Sequence, residues 1–190
     1  MSYFLVPYSP LEQGTDVVFL IDASRGVSLS EYDLEKDFIR SLATHFNVST
    51  TGTRGSLVIY AEHAHTIASL TDANFMRRLE SATLLQTSRR MDRALEHAAM
   101  IFLKSKRNGK KIAILMTTGR QAYGAKPIQY GVASLRSLEV ETYVVAIGGE
   151  ADRRELASIV EKPNDIRIIP SFEQLPSETR PISRYSEFLK

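Results

Sequence analysis

Asp22 is the residue whose type and position most clearly require a chemical partner. It follows the apolar run Val17–Ile21, which is rich in β-branched residues and predicts a buried strand. A carboxylate at the end of such a strand needs a counter-charge or several hydrogen-bond donors. Arg89 or Arg90 could supply a guanidinium, so one chemistry open to Asp22 is an ion pair with one of these arginines.

Other groups that could do chemistry are few. His63 and His65 lie on one side of an extended segment, a spacing that can bind a transition metal. No third ligand is near them in sequence, and a solvated edge hairpin explains them equally well. The chain has no cysteine, which excludes disulfides and a thiolate nucleophile. No serine, histidine and aspartate constellation stands out, so we expect no enzyme.

Apolar runs alternate with stretches of helical periodicity, which predicts an α/β fold. The gap between the second and third runs is too short for a crossover helix, so these two strands should form an antiparallel hairpin. Ser30 and Asp152 are the predicted N-caps of the first helix and of a late helix. The predicted strands are Asp16–Asp22, Leu57–Ala61, His65–Ser69, Ile112–Met116, Val140–Ile147 and Ile166–Ile169.

The resulting fold class is a doubly wound, mostly parallel six-stranded sheet with one antiparallel edge strand and helices on both faces. Ligands of such sheets bind beyond the carboxyl ends of the strands. Three segments should meet at that edge: Asp22 to Ser24, Gln86 to Arg90, and Thr117 to Arg120. The segments 1–14 and 176–190 are predicted linkers around a single domain at 15–175.

Composition excludes several classes of function. The chain has 190 residues and a net charge of +2, which is too balanced to indicate nucleic-acid binding. No apolar run approaches the ~20 residues of a membrane span. The first ten residues do not form a signal peptide as they stand. The triplet Asn47-Val48-Ser49 is a glycosylation sequon and a weak indication of secretion.

Several segments together resemble the von Willebrand factor A domain family. "DVVFLIDAS" resembles its first strand and loop, "GTRGSLVIYAEHAHTIASL" its second strand and edge hairpin, and "KKIAILMTTGR" its fourth strand. "VETYVVAIGGEADRRELASIVEKPND" resembles the closing segment of extracellular-matrix members such as the A domains of collagen VI and matrilins. The resemblance covers about Asp16 to Leu175. It implies a Rossmann-like fold and a secreted, non-enzymatic adhesion module of the extracellular matrix.

The same resemblance implies a metal-ion-dependent adhesion site that this sequence matches only in part. The family pattern has Asp-x-Ser-x-Ser in the first loop, Thr in the second and Asp in the third, a set of oxygen ligands that suits Mg²⁺. Asp22 and Ser24 match the first loop, but Gly26 stands where the pattern has its second serine. Thr118 replaces the third-loop aspartate.

The second loop of this site is ambiguous. The alignment puts Arg89 where the pattern has threonine, and a small shift would instead offer Thr87 or Ser88. The resemblance therefore implies a degenerate site with Asp22 and Ser24 as its clear ligands and Thr118 and Thr87 as weak ones. We expect no tightly bound cofactor, and weak Mg²⁺ or Mn²⁺ binding is the alternative to a guanidinium that substitutes for the metal.

The expected partners are extracellular-matrix proteins, collagen-like ones first, or further A domains. Either a residual metal bridges to an acidic residue of the partner, or binding is metal-free through the arginine-rich edge, the helix faces or the edge strand. The incomplete ligand set favours metal-free binding. The rival hypothesis is an intracellular A domain that acts as a scaffold in a multiprotein complex. The residues expected to contact a partner are Asp22, Arg89, Arg90, Thr118 and Arg120.

Overall fold

The computed structural model describes residues 14–176 of the chain. The predicted linkers 1–14 and 176–190 lie almost entirely outside the described residues, so the boundaries of the domain stay a prediction. The regular elements begin at Thr15 and end at Gln174.

Six strands form one sheet in the order β3-β2-β1-β4-β5-β6. All neighbouring strands are parallel except β3, which pairs antiparallel with β2 at one edge. This confirms the predicted fold class and the predicted hairpin. The strands are β1 (Thr15–Asp22), β2 (Thr53–Tyr60), β3 (Ala64–Ala68), β4 (Lys110–Thr117), β5 (Val140–Ile147) and β6 (Ile166–Ile169).

Helices cover both faces of the sheet and create two cores. Along β1, Val17, Phe19 and Ile21 pack into the core under α1 and α2, whereas Val18 and Leu20 pack into the core under α3, α4 and α5. Side chains that alternate between two buried faces explain why β1 is a continuous apolar run. The helices are α1 (Leu29–His45), α2 (Phe75–Glu80), α3 (Met91–Lys104), α4 (Gln129–Ser137) and α5 (Arg153–Ile159).

The first helix begins earlier than the sequence indicated. Ser30 was the predicted N-cap, but Ser28 caps α1 and forms a capping box with Glu31. The Ser28 hydroxyl accepts a hydrogen bond from Glu31 N, and the Glu31 carboxylate accepts one from Ser28 N at 2.8 Å. The prediction was wrong because both serines have an acidic residue three positions later. Asp152 caps α5 as predicted and accepts from Arg154 N and Glu155 N.

Candidate partner-binding site

The carboxyl ends of β1 and β4 lie side by side, and the connection before α3 crosses above them. We call this edge of the sheet, with its loops, the carboxyl edge. Backbone hydrogen bonds fix the crossing, because Leu85 N and Gln86 N both donate to Ala23 O at 3.0 Å and Arg25 N donates to Thr87 O at 3.0 Å. Gln86 has a φ of 54°, a left-handed conformation that turns the chain at this point. The three segments predicted to meet therefore do meet.

The Asp22 carboxylate is fully buried and accepts hydrogen bonds on both oxygens. Its Oδ1 accepts from Ser24 N at 3.1 Å. Its Oδ2 accepts from Arg89 Nε at 2.6 Å and from the backbone N and hydroxyl of Thr118, each at 3.0 Å. Four donors, one of them cationic, provide the counter-charge and hydrogen bonds that a buried carboxylate requires.

The guanidinium of Arg89 lies at the centre of the carboxyl edge. Besides Asp22, it donates from Nη2 to the Thr118 hydroxyl and from Nη1 to the carbonyl of Arg120 at 3.2 Å. Its side chain is only 13% exposed. Burial alone would lower the pKa of Arg89, but the negative charge of Asp22 opposes that effect and the pKa is raised. Arg89 is therefore a fixed positive charge in this site.

Two glycines leave the space that the Arg89 guanidinium occupies. A Cβ at Gly26 would collide with Nη2 of Arg89, and a Cβ at Gly119 would lie 2.7 Å from its Nη1. Neither glycine has a positive φ, so the backbone alone does not require glycine there. The absence of a serine at position 26 and the presence of Arg89 are therefore one coupled feature, because a serine and this guanidinium would overlap.

Several buried polar side chains near Asp22 have no hydrogen-bond partner among the described residues. Among the described residues, no hydrogen bond reaches the hydroxyls of Ser24 and Tyr32 or the carboxyl of Glu35. Burial raises the pKa of Glu35 well above its usual range, the Asp22 charge raises it further and Arg89 opposes the rise. Burial likewise raises the pKa of the Tyr32 hydroxyl. Glu35 is thus biased towards its neutral form, and Asp22 is left as the carboxylate that balances Arg89.

A cleft of about 640 Å³ opens outward from this centre. Arg89, Ser24, Gly26 and Thr118 form part of its lining. Its charged residues include arginines and glutamates in equal number, namely Arg25, Arg89, Arg120, Glu31, Glu150 and Glu173. The charged residues that line the cleft therefore carry no net charge when Arg89 is counted among them.

The other predicted site residues take different positions. Arg120 lines the cleft and contributes its carbonyl to Arg89. Thr87 turns to the hairpin side, where its hydroxyl accepts from Glu62 N at 3.1 Å. The structure does not bring Arg90 to Asp22, since its guanidinium pairs with the buried carboxylate of Asp92 at 2.7 Å and 2.9 Å. Of the two arginines, Arg89 is the one that forms an ion pair with Asp22.

Sequence reasoning missed Gly119, Tyr32 and Glu35 as parts of this site. Glu35 is 0% exposed. The available signal for its burial was that it is a charged residue on a helix face whose neighbouring residues are apolar. No pattern in the sequence indicated Gly119, because its role depends on where the Arg89 side chain points. Such contacts across distant segments become visible only in the folded chain.

Histidine and acidic clusters elsewhere do not suggest another site. Within residues 14–176, no three His, Cys, Asp or Glu side chains are grouped so that they could hold a metal ion. The rings of His63 and His65 are 6.3 Å apart, and Nδ1 of His63 is hydrogen-bonded to Arg93 Nη1 at 2.5 Å. No helix of the same described region has the length and apolar character needed to cross a membrane.

Solved structures share this fold. Proximal thread matrix protein 1 from the mussel byssus superposes with a TM-score of 0.82 at 22% identity, covering 90% of this chain and 46% of that one. A second structure of that mussel protein, with a zinc-occupied MIDAS motif, superposes with a TM-score of 0.81 at 21% identity over 90% of this chain and 47% of that one. At this level of identity the likeness establishes the fold alone.

Sequence relatives are large matrix proteins in which this chain matches one part. The collagen alpha-1(XXI) chain of Xenopus laevis is 24% identical over 182 residues, which is 92% of this chain and 18% of that protein. Matrilin-1 of Gallus gallus is 25% identical over 162 residues, or 80% and 32% of the two chains. The model of the von Willebrand factor type A domain matches residues 16–180. The chain therefore belongs to the von Willebrand factor type A domain family.

Proposed function

We propose that this domain is a non-enzymatic adhesion or matrix-assembly module that binds its partner at the carboxyl edge without a divalent cation. The observation that carries the proposal is the guanidinium of Arg89, which lies on Asp22 between Gly26 and Gly119. A fixed positive charge thus stands beside the one carboxylate of the family's metal-site pattern that this sequence retains.

The residues present do not fit a Mg²⁺ site. Mg²⁺ prefers near-octahedral oxygen ligands and depends on carboxylate charge, whereas here Thr118 replaces the second carboxylate and Gly26 removes a hydroxyl. Both oxygens of Asp22 already accept hydrogen bonds. A cation would have to displace Arg89 and leave its charge without its partner, which is costly for a largely buried group.

The matrix setting of the proposal is supported by the relatives, which include collagens and matrilin-1. We propose that the chain acts outside the cell and that its partners are matrix proteins, collagen-like ones first, or further A domains. A role as an intracellular scaffold has no comparable support among these relatives.

A binding screen against purified collagens and other matrix proteins tests the function. We expect saturable binding to at least one matrix protein, with the same affinity in EDTA as in Mg²⁺ or Mn²⁺. Binding that disappears in EDTA would contradict the metal-free mechanism, and no binding to any matrix protein would contradict the function itself.

Titration with metal alone tests the site directly. We expect isothermal titration with Mg²⁺ and Mn²⁺ to give no heat attributable to micromolar binding. The mussel protein, whose MIDAS motif is occupied by zinc in one structure, serves as the positive control when it is titrated with Zn²⁺. Clear micromolar binding by the present chain would mean that Arg89 leaves Asp22 and that a metal takes its place.

A charge reversal on the rim of the cleft tests where the partner binds. We expect Arg120→Glu to weaken binding of the matrix partner, because the exposed Arg120 side chain lines the cleft. Lys162→Glu is the matched control, since it makes the same change in net charge beside Lys110, at the amino end of β4. Equal effects of the two reversals would place the binding surface elsewhere.

A further inference from the structure

A basic run lies at the end of α3 and the start of β4, and it contains Lys104, Lys106, Arg107, Lys110 and Lys111. Three of these residues have partners elsewhere in the fold. Lys110 pairs with Glu141 at 3.0 Å, whereas Lys111 and Arg107 donate to backbone carbonyls. Lys104 and Lys106 are exposed, and within residues 14–176 their ammonium groups make no ion pair or hydrogen bond. Two cations of the run are therefore available to a ligand.

Both free lysines line a cleft of about 540 Å³ between α3 and strands β2 and β3. A cavity of this size is within the range of ligand sites in proteins. Its described lining contains three cations, Arg54, Lys104 and Lys106, and no aspartate or glutamate. The cleft is therefore complementary in charge to an anion.

Arg54 adds donors to this cleft. Its Nε and Nη2 donate to the two carboxylate oxygens of buried Asp16 at 2.7 Å and 2.6 Å, and Nη2 also donates to the Ser105 hydroxyl at 2.8 Å. A guanidinium has five N–H groups, so the two on Nη1 have no partner in the described part of the chain. The hydrogen bond to Asp16 raises the pKa of Arg54, so its charge is permanent. Asp16 thus fixes the guanidinium and leaves Nη1 for an oxyanion.

We propose that the cleft between α3 and β3 binds a sulfated polysaccharide, whose sulfate groups pair with Arg54, Lys104 and Lys106. This surface is separate from the carboxyl edge, because α3 begins beside that edge at Met91 and ends at Lys104. Short runs rich in lysine and arginine are typical of nucleic-acid and heparin sites. The choice of a polysaccharide over a nucleic acid rests on the extracellular setting proposed above.

The rest of the lining favours a saccharide over an acidic peptide. Hydroxyl groups can donate to and accept from the hydroxyls of a sugar, and five residues of the lining carry one, namely Ser56, Thr66, Ser69, Thr71 and Ser105. The strongest contacts between proteins instead fill well-packed apolar pockets. Here Met100 is 49% exposed, so the apolar side of the cleft is open to solvent.

The first test titrates the whole chain with heparin hexasaccharide as the probe, in EDTA and without any matrix protein. We expect saturable binding that weakens with salt. The slope of log K against log salt concentration should be about −2 to −3, the value for about three neutralised charges. Hyaluronan hexasaccharide, which has carboxylates and no sulfates, should bind at least about tenfold more weakly. Equal affinity for the two saccharides, or no binding of heparin, would overturn the proposal.

Two pairs of substitutions separate this cleft from general positive charge. The double variant Lys104→Gln, Lys106→Gln should fold, because both side chains are exposed, and it should bind heparin hexasaccharide about tenfold more weakly. The matched control is Lys126→Gln, Lys162→Gln, which makes the same change in net charge at two exposed lysines outside this cleft. Its affinity should stay unchanged. Equal losses in both double variants would overturn the proposal.

A peptide probe and the matrix screen separate the remaining outcomes. An acidic peptide of alternating glutamate and leucine should not compete with heparin hexasaccharide. If the peptide binds and the saccharide does not, the partner of the cleft is a protein and the proposal is wrong. A chain that binds a matrix protein but no sulfated saccharide refutes this inference alone. A chain that binds the saccharide but no matrix protein upholds this inference and refutes protein binding at the carboxyl edge.

Discussion

At the scale of single residues, the guanidinium of Arg89 lies on Asp22, the residue that matches the first ligand of the family's metal-site pattern. Where the family pattern has a hydroxyl and a carboxylate, this chain has Gly26 and Thr118, and the space between them holds the guanidinium of Arg89. Each of these changes alone would damage the site. Gly26 without Arg89 would leave a hole, and Arg89 without Gly26 would have no room. The effects of substitutions at Gly26 and Arg89 on the free energy of unfolding should therefore be coupled.

A double-mutant cycle measures that coupling. We expect Gly26→Ser to lower the free energy of unfolding by about 1–3 kcal/mol, because its Cβ overlaps Nη2 of Arg89. In an Arg89→Thr background the same serine should cost no more than about 0.5 kcal/mol. Urea unfolding of the four proteins gives the interaction term. Gly149→Ser is the control, since a Cβ there meets nothing within 4 Å. Equal costs in both backgrounds would refute the coupling.

The buried carboxyl of Glu35 predicts a pH dependence of stability. Its pKa in the folded chain is raised above the unfolded value of 4.5, so at intermediate pH the folded state keeps a proton that the unfolded state has lost. The free energy of unfolding then falls as pH rises from about 4.5 through the folded pKa, and levels off above it.

Glu35→Gln removes this titration while keeping the shape of the side chain. Denaturant unfolding across the pH range should show the variant gaining stability relative to the natural chain as pH rises through that window. Glu80→Gln, which changes an exposed carboxyl at the end of α2, should give no such trend. A stability difference for Glu35→Gln that does not vary with pH would mean that Glu35 is not the group responsible.

At the scale of elements, helix starts position the site. The loop from Ala23 to Val27 must turn sharply between β1 and α1, and the capping box of Ser28 and Glu31 ends that turn. Glu31 also lines the cleft, so the same side chain caps a helix and shapes the rim. The connection before α3 has no side-chain cap, and Arg90 at its N-cap position instead pairs with Asp92.

Ser28→Ala tests the observed start of α1. Loss of the hydroxyl that Glu31 N donates to should lower the free energy of unfolding by about 1 kcal/mol. Ser30→Ala is the matched control, because Ser30 is exposed within the first turn of the helix and should change stability by less than about 0.5 kcal/mol. Thermal unfolding of the two variants distinguishes them. A larger loss from Ser30→Ala would restore the start predicted from the sequence.

The strands could be predicted from sequence because β1, β4 and β5 are buried enough to require long apolar runs. The start of α1 could not, since two serines offered equivalent caps. The pairing of Asp22 with an arginine followed from the cost of burying a carboxylate, but the choice of Arg89 over Arg90 did not. That choice depends on the direction of each side chain at the start of α3, where Asp92 takes Arg90.

At the scale of the whole molecule, Arg89 connects parts of the chain that are far apart in sequence. It is 67 positions from Asp22 and 29 from Thr118. One side chain thus joins the ends of β1 and β4 to the connection before α3. A bound metal would make the same connection only while the metal is present, whereas a guanidinium makes it in every folded molecule. Global stability should accordingly be independent of divalent cations.

Restoring the metal-ligand residues of the family pattern should make the stability of the molecule depend on Mg²⁺. In the triple variant Gly26→Ser, Arg89→Thr and Thr118→Asp, two carboxylates face each other without the guanidinium, so the variant should unfold at a lower temperature than the natural chain in EDTA. If Mg²⁺ binds it with a dissociation constant of about 0.1 mM, 10 mM Mg²⁺ adds about 2.7 kcal/mol. That raises Tm by about 5–10 °C for a chain of this size. The natural chain should show no shift, because Arg89 already occupies the position. The guanidinium has not taken the place of the metal if Mg²⁺ leaves the Tm of the triple variant unchanged. The same holds if Mg²⁺ raises the Tm of the natural chain by an equal amount.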